Sequence, residues 1–155
     1  MYQKNVLTLA TAMKGMDAML QEAAKDPSRP FAVAIVDNCG EVICFARQDG
    51  CQQFRNEMAI KKAYTAAQFR RSTRKQWEEG FKPEGLDLTM FNLSTNYTTI
   101  AGGVPILKPG EEGKGVGQWR DACGAIGTSG ARQDEDERIA LVGLKAIQDI
   151  LWPRK

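Results

Sequence analysis

The sequence predicts one α/β (α+β) domain whose elements run in the order α-β-β-α-β-β-β-α. Three observations carry this expectation. Amphipathic helical stripes open and close the chain, an unbroken apolar run of six residues follows a proline-bounded turn, and 155 residues at 43% hydrophobic against 26% charged are enough for one core. No internal repeat and no second core interrupts the pattern, so residues 1–155 read as a single domain.

The first helix places Leu9, Met13, Met16, Leu20 and Ala24 on one stripe behind a Thr8 N-cap. It stops near Asp26-Pro27-Ser28-Arg29-Pro30, where two prolines remove backbone donors and bias their predecessors away from helix. Phe31-Ala32-Val33-Ala34-Ile35-Val36 is apolar at every position, which predicts a central strand covered on both faces. Asp37-Asn38-Cys39-Gly40 supplies a turn, and the segment from Glu41 to Arg47 reads as the returning strand of a hairpin. A second helix is expected from about Arg55 to Gln76, with Ala59, Ala63, Ala66 and Ala67 forming a small-residue face that permits close approach to the sheet or to another subunit. The cations Arg70, Arg71, Arg74 and Lys75 at its C-terminal end suit the helix dipole and, without aromatic interleaving, read as a solvated terminus in preference to an anion-binding patch.

Beyond an irregular stretch, Tyr97-Thr98-Thr99-Ile100 and Val104-Pro105-Ile106-Leu107 are expected as two short strands about a Gly102-Gly103 hinge. The polar loop 109–117 reads as a hairpin tip or lid, and its Gly113-Lys114-Gly115-Val116 lacks the Ser or Thr of a phosphate-binding loop. Ala122-Cys123-Gly124-Ala125-Ile126-Gly127 gives the last strand. A terminal helix follows, with Ala140, Gly143, Leu144, Ile147 and Leu151 inward and Asp134, Glu135, Asp136 and Glu137 at its positive end.

Composition narrows function by exclusion. The chain contains no histidine, which removes imidazole bases, His metal ligands and Ser/His/Asp triads. Its four cysteines, at 39, 44, 51 and 123, form neither C-x-x-C zinc pairs nor a thioredoxin-like motif and read as reduced thiols; no metal site is expected. A formal charge of +2 gives no footprint for nucleic acid or an anionic membrane surface. The opening residues lack a secretory pattern and no apolar stretch approaches a membrane span, so a cytoplasmic location is expected.

Three glycine-bearing corners, each after an expected strand, are the candidate site: Arg47-Gln48-Asp49-Gly50, Ala101-Gly102-Gly103-Val104-Pro105 and Gly127-Thr128-Ser129-Gly130. Strand-terminal glycines let backbone N–H groups approach a ligand, and a Ser hydroxyl can bind an anionic oxygen; the same glycines also suit corners with no ligand. Arg47 and Asp49, two apart, either pair with one another or grip a substrate carboxylate.

Five segments together resemble the GlcG/HbpS family: residues 31–37 with Gly40, Arg47-Gln48-Asp49-Gly50, Ala59-Ile60-Lys61-Lys62-Ala63-Tyr64-Thr65-Ala66, Gly102-Gly103-Val104-Pro105-Ile106, and Gly124-Ala125-Ile126-Gly127-Thr128-Ser129-Gly130. The resemblance spans nearly the whole chain. It implies a profilin-like sandwich with a five-stranded antiparallel sheet, assembly into homo-oligomers, and relatives that bind heme or serve corrinoid metabolism, among them the C-terminal domain of PduO-type proteins. A His-ligated heme is impossible here, leaving Cys, Met or Tyr as axial candidates.

The leading expectation is an oligomeric small-ligand-binding protein for heme, another tetrapyrrole or an anionic metabolite, with Arg47, Asp49, Gly50, Lys62, Gly102, Gly103 and Ser129 around the pocket. The alternative is a histidine-free enzyme in which Cys51 or Cys123 acts as acid, base or nucleophile and Arg47 or Lys62 holds a substrate carboxylate. A structural module serving a partner enzyme is the third reading, and the small-residue helix face is its one hint.

Overall fold

The computed structural model describes residues 6–86, 96–112 and 121–155. Helix α1 (Leu9–Ala23) begins where Thr8 Oγ1 accepts from the Thr11 amide, the expected cap. Its buried face is Ala12, Gly15, Met16, Met19 and Ala23. The expected stripe is therefore rotated by about one residue: Leu9 and Met13 stay 58% and 40% exposed. The cause is tertiary. Gly15 receives Ile147 and Gly143 receives Met19 of the facing helix, so the two glycines set the closest approach.

Strand β1 (Ala32–Asp37) and strand β2 (Val42–Arg47) form the expected hairpin. Asp37 Oδ1 accepts from the amides of Cys39 and Glu41 at 2.8 and 3.0 Å, and Gly40 takes φ +92 to close the turn. Helix α2 (Phe54–Phe69) ends earlier than the expected Gln76. Arg70 adopts a left-handed φ of +55, and Ser72 Oγ then caps a new short helix, α3 (Thr73–Lys75), which runs on through a π-helical turn at Gln76–Phe81.

Strand β3 (Gly103–Ile106), strand β4 (Gly124–Ser129) and helix α4 (Gln133–Leu151) complete the described fold. The sheet is antiparallel in the order β2-β1-β4-β3. Among the described residues it has four strands, not the five expected, because Tyr97–Ile100 forms none. That segment satisfies its donors with side chains: the Thr98 amide bonds Thr65 Oγ1 on α2 at 2.9 Å, and the Ile100 amide bonds Thr98 Oγ1. A strand ladder is not needed to pair them. Residues 113–120, most of the expected lid, lie outside the described residues.

Helices cover both faces of the sheet, as the all-apolar β1 requires. Val33, Ile35, Val104, Ile106 and Ile126 face α1 and α4 in one core. Ala32, Ala34, Val36 and Ala125 face α2 in the other, against Ala59, Ala63, Ala66 and Ala67. The alternation of large and small along β1 and β4 is the strand period of two read as two different interfaces. On the small side the approach is so close that a Cβ on Gly127 would overlap the Ala59 carbonyl oxygen.

The basic cluster after α2 is not a solvated terminus. Arg70 Nη1 bonds the Ala122 carbonyl, Arg71 is 8% exposed and pairs with Glu79, and Arg74 pairs with Asp134 and Glu137 of α4. These ion pairs replace the helix continuation that periodicity suggests.

Candidate functional site

Antiparallel pairing brings the expected corners to one end of the sheet. Ala32 at the start of β1 lies opposite both Arg47 at the end of β2 and Ser129 at the end of β4. Neighbouring strands are about 4.8 Å apart, so the corners after β2 and β4 flank the entry of β1 at roughly 10 Å separation. Gln48 braces this end. Its amide donates to the Phe31 carbonyl, its Oε1 accepts from the Phe31 amide at 2.8 Å, and its Nε2 reaches the Leu20 carbonyl. The Cys51 amide closes a turn onto Gln48, with Gly50 at φ +80 in the position that demands a left-handed residue.

Between these corners lies an open groove of about 530 Å³, lined by Ser28, Arg29, Pro30, Gly50, Gln52, Arg55, Gly130, Ala131 and Arg132. Among the described residues three guanidinium groups line it and no carboxylate does. Arg29 comes from the α1–β1 connection, Arg55 from the first turn of α2 and Arg132 from the N-cap of α4. Arg29 has an exposed pair with Asp26 at 3.5 Å, which is weakly held in water. Glu135 on α4, whose pKa Arg29 helps to lower, is held by Arg138. The groove is therefore electropositive, and guanidinium geometry suits carboxylate or phosphate oxygens.

One buried carboxylate shapes the rim. Asp136 Oδ1 accepts from the amides of Gly130 and Ala131 at 3.0 and 2.8 Å, and its Oδ2 binds the Lys62 ammonium at 2.7 Å. Lys62 also donates to the Thr128 carbonyl at 2.9 Å. Burial pulls its pKa below the ordinary lysine range, with the Asp136 charge opposing. Arg55 Nη1 reaches the Ala131 carbonyl from across the groove. Gly130 has no room for a side chain because the Phe31 ring lies against it.

The expected site residues separate into three groups. Gly50 lines the groove, Ser129 immediately precedes its lining residue Gly130, and Arg47 and Asp49 are exposed on the same corner. Lys62 is 1% exposed and its two bonds go to protein atoms. Gly102 and Gly103 are sealed: the Gly103 amide donates to Thr73 Oγ1, the Thr128 amide donates to the Gly102 carbonyl, and a Cβ on Gly102 would sit 3.0 Å from Lys62 Nζ. That corner buttresses the site from beneath. Sequence reasoning did not single out Arg29 or Arg132 as site residues. The signal was present, since an antiparallel neighbour must end where β1 begins, which puts the residues just before Phe31 beside those just after Ser129.

The two candidate cysteines, each weighed singly as a nucleophile or acid-base group, lie at opposite ends of the sheet. Cys51 lies at the groove end of the sheet and Cys123 precedes β4 at the other, roughly 20 Å away along the strand. Burial pushes the Cys123 thiol up to about 11, and burial also raises Cys51 despite Arg55 and Arg47 nearby. In both, burial disfavours the thiolate. Among the described residues no three Cys, Asp or Glu gather as a metal site.

The family model for "Haem degrading protein HbpS-like" matches residues 7–145. The chain belongs to the HbpS-like family. A double-mutant HbpS from Streptomyces reticuli is 27% identical, with 94% of this chain and 89% of that chain covered at a TM-score of 0.72. A PduOC:heme complex is 24% identical, covers 92% of this chain and 95% of its own, and has a TM-score of 0.74, which supports the shared fold. An uncharacterized 15.0 kDa protein in the dhaT-dhaS intergenic region of Citrobacter freundii is 25% identical over 147 residues, 93% of this chain and 94% of that one. These HbpS-like neighbours carry the same mixed arrangement of antiparallel sheet and covering helices.

Proposed function

We propose that this protein is a small-ligand-binding member of the HbpS-like family whose ligand is a compact anion bearing carboxylate or phosphate oxygens. The observation that carries this reading is the groove of about 530 Å³ with Arg29, Arg55 and Arg132 converging from three segments and no acidic side chain in its walls. Gly50 and the Ser129-Gly130 corner leave backbone close to the bound oxygens, and the exposed Arg47 adds positive charge from the neighbouring strand end.

A relative's heme complex makes heme the first ligand to weigh. The donor set here does not fit it. A porphyrin needs broad apolar walls and an axial ligand, whereas this groove offers charged walls, and Pro30 and Ala131 are its apolar side chains. Among the described residues its lining contains no Met or Tyr, the chain contains no His, and the nearby Cys51 is 9% exposed with burial raising its thiol pKa. An anionic metabolite satisfies the groove without an iron ligand.

The protein is read as one profilin-like domain working as a cytoplasmic homo-oligomer. Exposed Val42 and Phe45 on the edge strand β2 and unpaired cysteines support that reading. Among the described residues no helix is long and apolar enough to cross a membrane.

Titration calorimetry with inorganic phosphate and with citrate tests the groove. We expect saturable binding that weakens with salt and falls at least tenfold in an Arg55→Ala, Arg132→Ala variant with an unchanged urea midpoint. Undiminished binding in that variant rejects the groove as the site. Hemin added in parallel is expected to give no Soret shift, and a saturable shift would overturn the anion reading in favour of a tetrapyrrole. A light-scattering mass equal to one chain would reject the assembly.

A further inference from the structure

A second cavity, sharing no lining residue with the arginine groove, lies between α3, β3 and the middle of α4. Its walls are Val104, Pro105, Leu107, Leu141 and Leu144, and Arg71, Ser72, Lys75, Glu112 and Glu137 surround its polar side. It encloses about 210 Å³. An engineered apolar cavity of about 150 Å³ admits benzene, so a single ring with one polar substituent is the right scale.

Among the described residues two of the charges around it are held in ion pairs, and Glu112 is held by neutral donors. Arg71 Nη2 bonds Glu79 Oε2 at 3.0 Å, and Glu137 is held by Arg74. Glu112 accepts from Gln148 Nε2 and from the Gly110 amide. Among the described residues the Lys75 ammonium has no acidic partner within 4 Å, although its backbone is fixed by the Ser72 cap. The Ser72 hydroxyl accepts from the Lys75 amide through its oxygen and keeps its own hydrogen to donate. An apolar cleft with an ammonium that forms no ion pair and a hydroxyl donor at its edge suits a ligand with an apolar body and one anionic end.

We propose that this cavity is a second ligand site, specific for a small monocarboxylate with an apolar body about the size of benzoate. The ring lies against Leu107, Leu141 and Leu144, while the carboxylate takes the Lys75 ammonium and the Ser72 hydroxyl. The site is independent of the arginine groove and of what that groove binds.

The test uses benzoate and benzyl alcohol, matched in size and different in charge, titrated into the full-length protein and followed by two-dimensional NMR. Benzoate is expected to bind saturably in the millimolar range, to shift signals of Lys75, Val104 and Leu141, and to bind about tenfold more tightly than the alcohol. Lys75→Met is expected to abolish that preference and Lys75→Arg to keep it, both with native signal dispersion. Absence of saturation, shifts centred on Gly130 and Arg132, or an intact preference in a folded Lys75→Met protein would each overturn the proposal. Should Lys75→Met fail to fold, the same comparison in Ser72→Ala decides, with a reduced preference expected and an unchanged one contrary.

Discussion

Asp136 acts on the groove without lining it. Its carboxylate pins the Gly130–Arg132 turn through two amides and neutralises the Lys62 ammonium beneath. Asp136→Asn preserves an acceptor for the amides but removes the charge, leaving Lys62 buried and uncompensated. The expected cost is about 3 kcal/mol or more in urea unfolding, far above that of an exposed Asp such as Asp149→Asn. Near-equal costs would show that the pair is not a buried one. Gly127 is constrained differently. A methyl group there meets the Ala59 carbonyl oxygen and stands 2.5 Å from the Ala63 nitrogen, both backbone atoms that cannot yield alone. Gly127→Ala is expected to destabilise by about 3 kcal/mol, read as a lowered urea midpoint at unchanged slope.

At the scale of elements, legibility followed the strength of periodicity. β1 announced itself because no position in 31–36 is polar, and α4 because its stripe repeats through five turns. Ala140, Gly143, Leu144 and Ile147 are buried as expected, whereas Leu151 is half-buried and Ile139 and Asp136 join the buried face. α1 was found but turned, since hydrophobicity ranks Leu9 and Met13 above Gly15 while the contact with α4 selects by size. The break at Arg70 left no local trace: no glycine or proline marks it, and partners distant in sequence, such as the Ala122 carbonyl, hold it. Tyr97–Ile100 has strand-forming residues but finds its donors' partners on α2 and on its own side chains. For the site, glycine corners were readable because backbone conformation is local. The arginines were not, because an isolated arginine carries no sign of where it will point until the pairing of β1 with β2 and β4 is known.

For the whole molecule, two thiols in the larger core bear on alkaline stability. Burial pushes Cys44 and Cys123 up to about 11, above the value near 8.5 of an unfolded chain. The native state thus keeps these protons after the unfolded chain has released them. Their stabilising contribution is full below about pH 8.5 and is lost as pH rises toward 11. We expect the urea midpoint to fall across that interval and iodoacetamide to modify exposed Cys39 first at pH 8, as resolved by peptide mass spectrometry. A midpoint that rose over the same interval would contradict this account.

The groove's guanidinium groups stand at positions 29, 55 and 132, and they meet only where three chain segments have already been threaded into neighbouring places. An unfolded chain holds nothing comparable, so whatever occupies the groove binds one state of the molecule alone. Occupancy then becomes a contribution to conformational stability that grows with the logarithm of concentration. In a cell this would make the abundance of the protein, through its resistance to proteolysis, a readout of its own metabolite.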